Sequence, residues 1–139
     1  MVSRVLVAMD DSEMSEQALR YALDVHEDAA VTVLAVVGEP SAMFGIATAI
    51  ALADDPGQSA KDHAKPVLDR ARAIAAERDV EITTEVRTGH PARAIVDRAE
   101  AFDTVVIGSH GGSLADRVFV GNVAEKVVRR SPVPVTVVR

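Results

Sequence analysis

Two patterns of apolar residues alternate along the 139-residue chain. One is the short unbroken apolar run; the other places an apolar residue every three or four positions. Arg4–Met9, Val31–Val37 and Thr104–Ile107 follow the first pattern, as strands buried on both faces of a parallel sheet do. Between them the period lengthens. From Glu13 to Glu27, Met14, Ala18, Tyr21, Ala22 and Val25 share one helical face, and Asp11 or Ser12 can cap that helix. Ala60, Ala64, Val67, Leu68, Ala71 and Ile74 mark a second helix. Pro66 inside it requires either a kink or a regular part that starts there. Ala92, Ile95, Val96 and Ala99 mark a third helix, with Pro91 at or near its first position. The last helix is expected over Asn122–Arg130, with Val123, Val127 and Val128 as its apolar positions.

Val80–Arg87 alternates residue by residue: Val80, Ile82, Thr84 and Val86 against Glu81, Thr83, Glu85 and Arg87. Such alternation in a parallel sheet points to an edge strand. Val133–Val138 is the final strand. Ser41–Gln58, rich in alanine, reads either as a short helix or as a loose flap. The order of elements implies an α/β fold: a doubly wound, five-stranded parallel sheet with helices on both faces. The length suggests a single domain over residues 1–139.

Composition narrows the function. Hydrophobic residues make up 48% but aromatics only 3%, so Val, Ala, Leu and Ile must fill the core. The absence of cysteine excludes disulfides and thiolate metal sites and is compatible with a reducing cytoplasm. A net charge of −6 argues against nucleic acid as the main partner. The apolar runs are too short to span a bilayer, and Val5–Met9 ends at Asp10, too soon for a signal peptide. His26, His63 and His90 have no ligand-like spacing, so no protein metal site is assigned.

The candidate chemistry lies after the Thr104–Ile107 strand. Gly108 and Gly111 follow it, nine residues intervene, and Gly121 precedes a helix opened by Asn122. Glycines let backbone N–H groups approach a phosphate, and the first turn of a helix has unpaired donors. Ordinary turn chemistry is the alternative. Asn122 is a good N-cap and Glu125, three residues on, would complete a capping box; its amide could equally donate to a phosphate. Ser109 and His110 lie in the loop, without an Asp or Ser placed to make the histidine a base. Arg117 reads as a solvated side chain. Asp116 would repel phosphates unless a divalent cation such as Mg2+ bridges them. There is no G-x4-G-K-[S/T] motif and no G-x-G-x-x-G.

Gly108-Ser-His-Gly111, nine residues, Gly121-Asn122 resembles the G-x2-G-x9-G-[S/T] signature of the universal stress protein family, in its ATP-binding branch, with Asn in place of Ser or Thr. Val5–Ser12, Gly89–Ile95 and Ser131–Val138 resemble the family's first strand, its G-x-P-x-x-x-I turn and its last strand. The resemblance implies strand order 3-2-1-4-5. Ligands of such sheets bind at the carboxyl ends of strands where the order reverses, here between the first and fourth strands. It further implies ATP as the ligand. Ala8, Met9 and Val36 would line an adenine slot, and Asp10 would contact the nucleoside. Gly108, Ser109, His110, Gly111, Gly121, Asn122, Val123 and Ala124 would surround the phosphates. The function implied is a cytoplasmic, nucleotide-binding regulatory protein of the stress response. A slow ATPase or phosphotransferase is the alternative, with no catalytic base or arginine finger evident; a nucleotide-free interaction module is the third reading. An apolar last strand at the sheet edge predicts a homodimer through that strand, with Pro134 interrupting the pairing.

Overall fold

A run such as Val5-Leu-Val-Ala-Met9 has no polar face to give to water, so it must be covered on both sides. The computed structural model, which describes residues 1–38, 56–109 and 121–139, does this with helices. The elements in order are β1 (Arg4–Met9), α1 (Glu13–Val25), β2 (Ala30–Val37), α2 (Pro56–Ala76), β3 (Thr83–Thr88), α3 (Pro91–Ala99), β4 (Thr104–Gly108), α4 (Asn122–Arg130) and β5 (Val135–Val138). All strand pairs are parallel and the sheet order is β3-β2-β1-β4-β5. Both the fold class and the strand order agree with the sequence reading.

Strand parity divides the core in two. Val5, Val7 and Met9 of β1, with Val31, Val33, Ala35 and Val37 of β2, pack under α1 and α2. Leu6 and Ala8, with Leu34, Val105 and Ile107, pack under α3 and α4. Ala18, Ala64, Ala71, Ala92, Ala99 and Ala124 are buried, so each helix brings small side chains to the sheet, alongside larger ones such as Leu19, Leu68, Ile74 and Ile95 in three of them.

Helix α1 is capped by Ser12, whose Oγ accepts from the Ser15 N–H at 3.2 Å. It ends at Val25, two residues earlier than expected, because His26 leaves helical geometry. Its buried stripe is Met14, Ala18, Leu19, Ala22 and Leu23. Tyr21 and Val25, expected on the inner face, flank this stripe and are exposed; Val128 of α4 is exposed likewise. Helix α2 runs unbroken through Pro66 from Pro56, so its regular part does not begin at that proline.

Two strands start later than the apolar pattern suggests. After α2, Asp79 adopts a left-handed φ of 55° and the Val80 N–H turns back to the Ala75 carbonyl. Residues 80–82 therefore do not pair, and the β2–β3 register begins at Thr32 and Thr83, although Val80 and Ile82 still pack on the core. Before β5, the Ser131 hydroxyl holds both the N–H and the carbonyl of Val133, and pairing begins at Val135. Strand β3 lies at the sheet edge, as its alternation implies.

The amino ends of the strands are stitched together. One Asp103 carboxylate oxygen accepts from the Ser3 N–H, the Ser3 hydroxyl and the Arg4 N–H, each at 2.9 Å. These bonds, led by the one from the Ser3 N–H, hold its carboxyl below the usual aspartate range. The guanidinium of Arg98 forks onto Glu85 with two 2.7 Å bonds and holds that carboxyl below its usual value too. Arg4 and Arg98 each lie 5.0 Å from the centroid of the buried Phe102 ring.

Candidate functional site

At the carboxyl ends of β1 and β4 the connections leave on opposite faces of the sheet: α1 follows β1 on the face it shares with α2, and α4 follows β4 on the face it shares with α3. A crevice opens between those strand ends. It holds a cavity of about 340 Å³. Ala8, Met9, Asp10, Val36, Gly108, Gly121, Asn122, Val123 and Ala124, all singled out in the sequence, line it together. His110 and Gly111 lie outside the described residues, as do Asp116, Arg117 and 39–55 of the alanine-rich segment.

The floor is apolar. Leu34 and Val36 of β2, Ile107 of β4, and Pro91 and Ile95 of α3 form it with Ala8. Four of these, Leu34, Ile107, Pro91 and Ile95, were missed in the sequence. The signal that could have found them is parity: Leu34 shares a strand face with Val36, and Ile95 lies one helical turn from Pro91. Ser12 and Ser15 also line the cavity; the sequence reading saw only the former, as a cap.

The wall on the β1 side is a tight turn. The Ser12 N–H donates to Asp10 Oδ1 at 2.8 Å. The Ser15 hydroxyl accepts from the Asp10 N–H at 3.3 Å and lies 3.0 Å from the Asp10 carbonyl and 2.9 Å from that of Ser12. Asp10 is the one charged residue lining the cavity among the described residues. Its carboxylate can only accept hydrogen bonds, so it suits a ligand that offers hydroxyl or amino donors.

The opposite wall is the start of α4, and here the sequence expectation is corrected. The N-cap is Gly121, with extended geometry (φ −70°, ψ 163°) and no side-chain cap, and Asn122 is the first helical residue. The Glu125 N–H bonds to the Gly121 carbonyl at 2.9 Å, while the Glu125 side chain pairs with Arg129 at 2.8 Å. Asn122 and Glu125 therefore form no capping box. The consequence for the site is favourable: among the described residues no side chain caps the first-turn N–H groups of α4, an arrangement suited to an anion. Gly121 also has a φ open to any residue, so its lack of a side chain is not explained by backbone conformation.

Gly108 has a reason of its own. A Cβ there would lie 2.9 Å from Met14 Cγ and 3.0 Å from both the carbonyl carbon and the oxygen of Met14. The glycine lets the first turn of α1 rest on the end of β4. Ser109 stands behind the cavity rather than in its lining. Its N–H donates to the Val138 carbonyl at 2.8 Å, its carbonyl accepts from the Gly121 N–H, and its buried hydroxyl has no hydrogen-bond partner among the described residues. Among the described residues, no group of three or more His, Asp or Glu could hold a metal, and no helix is long and apolar enough to cross a membrane.

Universal stress protein YxiE of Bacillus subtilis is 30% identical to this chain over 148 residues, with all of both chains covered. The structure of UspA from Lactobacillus plantarum superposes with a TM-score of 0.77 at 26% identity, covering 99% of this chain and 98% of that one. A universal stress protein in complex with cAMP has the same fold, with a TM-score of 0.73 at 23% identity and coverage of 99% and 97%. Another, from Archaeoglobus fulgidus in complex with dAMP, has a TM-score of 0.68 at 21% identity and coverage of 100% and 98%. The family model described as "Universal stress protein family" matches residues 1–139, and the chain belongs to that family.

Proposed function

We propose that the chain is a regulatory protein that binds an adenine nucleotide, ATP, in the cavity between β1 and β4. The observation that carries this is the make-up of that cavity. An apolar slot of about 340 Å³, an acceptor carboxylate at one wall and an uncapped helix N-terminus at the other match a base, a sugar and a phosphate in turn. The complexes of family members with cAMP and dAMP support the same class of ligand. Ala8, Val36 and the floor would hold the base, Asp10 a ribose hydroxyl or the base amino group, and the Asn122–Ala124 turn a phosphate. Mg2+ would be carried by the phosphates themselves. Among the described lining residues Asp10 is the one carboxylate, it stands at the nucleoside wall in this reading, and no cation faces a γ-phosphate, so the reading is binding rather than turnover. The protein acts as one cytoplasmic domain and dimerises through β5.

Titration calorimetry with ATP, ADP and AMP tests it. Saturable 1:1 binding of ATP that is lost in Gly121→Val, with an unchanged unfolding temperature, is expected. Equal binding by that variant moves the site elsewhere, and heatless titrations of the wild type with all three nucleotides overturn the reading.

A further inference from the structure

The reading above gives Asp10 a contact with the ligand; it leaves unexplained why that carboxylate, on an exposed residue at the end of a strand, should keep one orientation. Asp10 Oδ1 is occupied by the Ser12 N–H, and among the described residues Oδ2 makes no hydrogen bond. The orientation of Oδ2 therefore follows the path of the Asp10–Ser12 backbone. That path is held by one buried side chain. Ser15, 5% exposed, sends its hydroxyl back from the first turn of α1 into the turn, where it meets the Asp10 N–H, the Asp10 carbonyl and the Ser12 carbonyl. The Ser15 N–H in turn bonds to Ser12 Oγ, so cap and clasp are reciprocal. A hydroxyl inside a helix ordinarily bonds to a carbonyl three or four residues earlier. Here it also takes a strand-end N–H five residues back, which an ordinary cap does not require.

We propose that Ser15 is a positioning residue for ligand recognition: its hydroxyl fixes the Asp10–Ser12 turn so that the free oxygen of Asp10 is presented to a donor on the bound nucleotide. This deepens the nucleotide-binding reading and rests on it. Ser15 acts through Asp10, so its contribution to affinity vanishes when the Asp10 carboxylate is absent.

The experiment is a double-mutant cycle of wild type, Ser15→Ala, Asp10→Ala and the double variant, titrated with ATP, with amide exchange of Ser12 followed by NMR in each ligand-free protein. Ser15→Ala should weaken ATP binding about tenfold, the size of one lost hydrogen bond to a charged group. In the Asp10→Ala background the same substitution should change affinity by less than about twofold. Ser12 amide exchange should quicken in Ser15→Ala while the amides of Leu19 and Leu23 keep their protection. Ser15→Thr, which retains the hydroxyl, should recover both affinity and protection. If Ser15→Ala does not fold, Ser15→Cys keeps the volume with a much weaker hydrogen-bonding group and takes its place. Additive losses in the cycle, or wild-type affinity in Ser15→Ala, overturn the positioning role while leaving nucleotide binding intact. A wild type that takes up no ATP overturns the reading of the site and this role with it.

Discussion

Replacing Gly108 by alanine adds one methyl group at the point where β4 meets α1. The expected sign is opposite to the usual one. At a site whose backbone alanine can adopt, Gly→Ala stabilises by about 0.4–1 kcal/mol, because the unfolded chain loses freedom. Here the added Cβ would meet Met14 Cγ at 2.9 Å and the Met14 carbonyl carbon and oxygen at 3.0 Å. The side-chain atom can swing away, but the two backbone atoms belong to the first turn of α1. That turn is fastened by the Ser12 cap and by the buried Ala18 and Leu19. Relief requires the helix to shift by a few tenths of an ångström, and overpacking of this kind costs about 1–3 kcal/mol. Less the entropic gain, the net is about 1–2 kcal/mol of destabilisation. For a chain of this length that lowers the unfolding temperature by about 3–7 °C. Scanning calorimetry of wild type and Gly108→Ala, with urea unfolding to confirm equal slopes, gives the measurement. A melting temperature equal to or above that of the wild type refutes the argument that α1 requires a glycine here. Gly89→Ala serves as the contrast: nothing lies within 4 Å of its added Cβ, but its φ of 113° strains any side chain. Its loss therefore reports backbone conformation rather than contact.

Asn122→Ala should change stability by less than about 0.5 kcal/mol in thermal melts, because Asn122 follows the cap and its side chain is exposed; a drop in ATP affinity by calorimetry would assign its amide to the phosphate. Glu85→Gln should cost about 1 kcal/mol in urea unfolding, through loss of the charged fork with Arg98. The carboxyls of Glu85 and Asp103 are both held low in the folded protein. Their stabilisation is therefore complete above the ordinary carboxylate range and lost as pH falls below about 4.5 through the folded values, and a Glu85→Gln, Asp103→Asn variant should show a flatter acid limb. Bonds from β4 to the carbonyls of Pro134 and Val138 leave the backbone groups of Val135 and Val137 facing away from the sheet. Val137→Pro should thus convert a dimer to a monomer by sedimentation equilibrium, and a wild type that is already monomeric at micromolar concentration rules out association through this edge.

The sequence was most informative where burial leaves no choice. β1, β2 and β4 fall within a residue of their expected bounds because an unbroken apolar run has only one state available to it. β3 and β5 start later than their apolar patterns because the deciding bonds are single polar contacts, Val80 to Ala75 and Val133 to Ser131, which no periodicity records. The glycine motif and the end of the first strand led to one wall of the cavity each. The floor of Leu34, Pro91, Ile95 and Ile107 was not legible, since it requires knowing which strands are neighbours and which face each residue takes. Gly108 shows a further limit. A glycine announces that something comes close but not what, and Met14 was as invisible in the motif as a phosphate would be.

The clamp at the amino ends of the strands has a consequence for how the molecule tolerates change. Asp103, Arg4, Phe102 and Arg98 gather the start of β1, the approach to β4 and the last turn of α3 at the end of the sheet remote from the cavity. The sheet is in effect a fan pinned at its handle. Its free rim can accept new loop sequences, and with them new ligands, without drawing on the bonds that keep the blades in order. Distant sites contribute to stability almost independently. Selection can therefore reshape the rim and the handle on separate terms, keeping one architecture under changing loops.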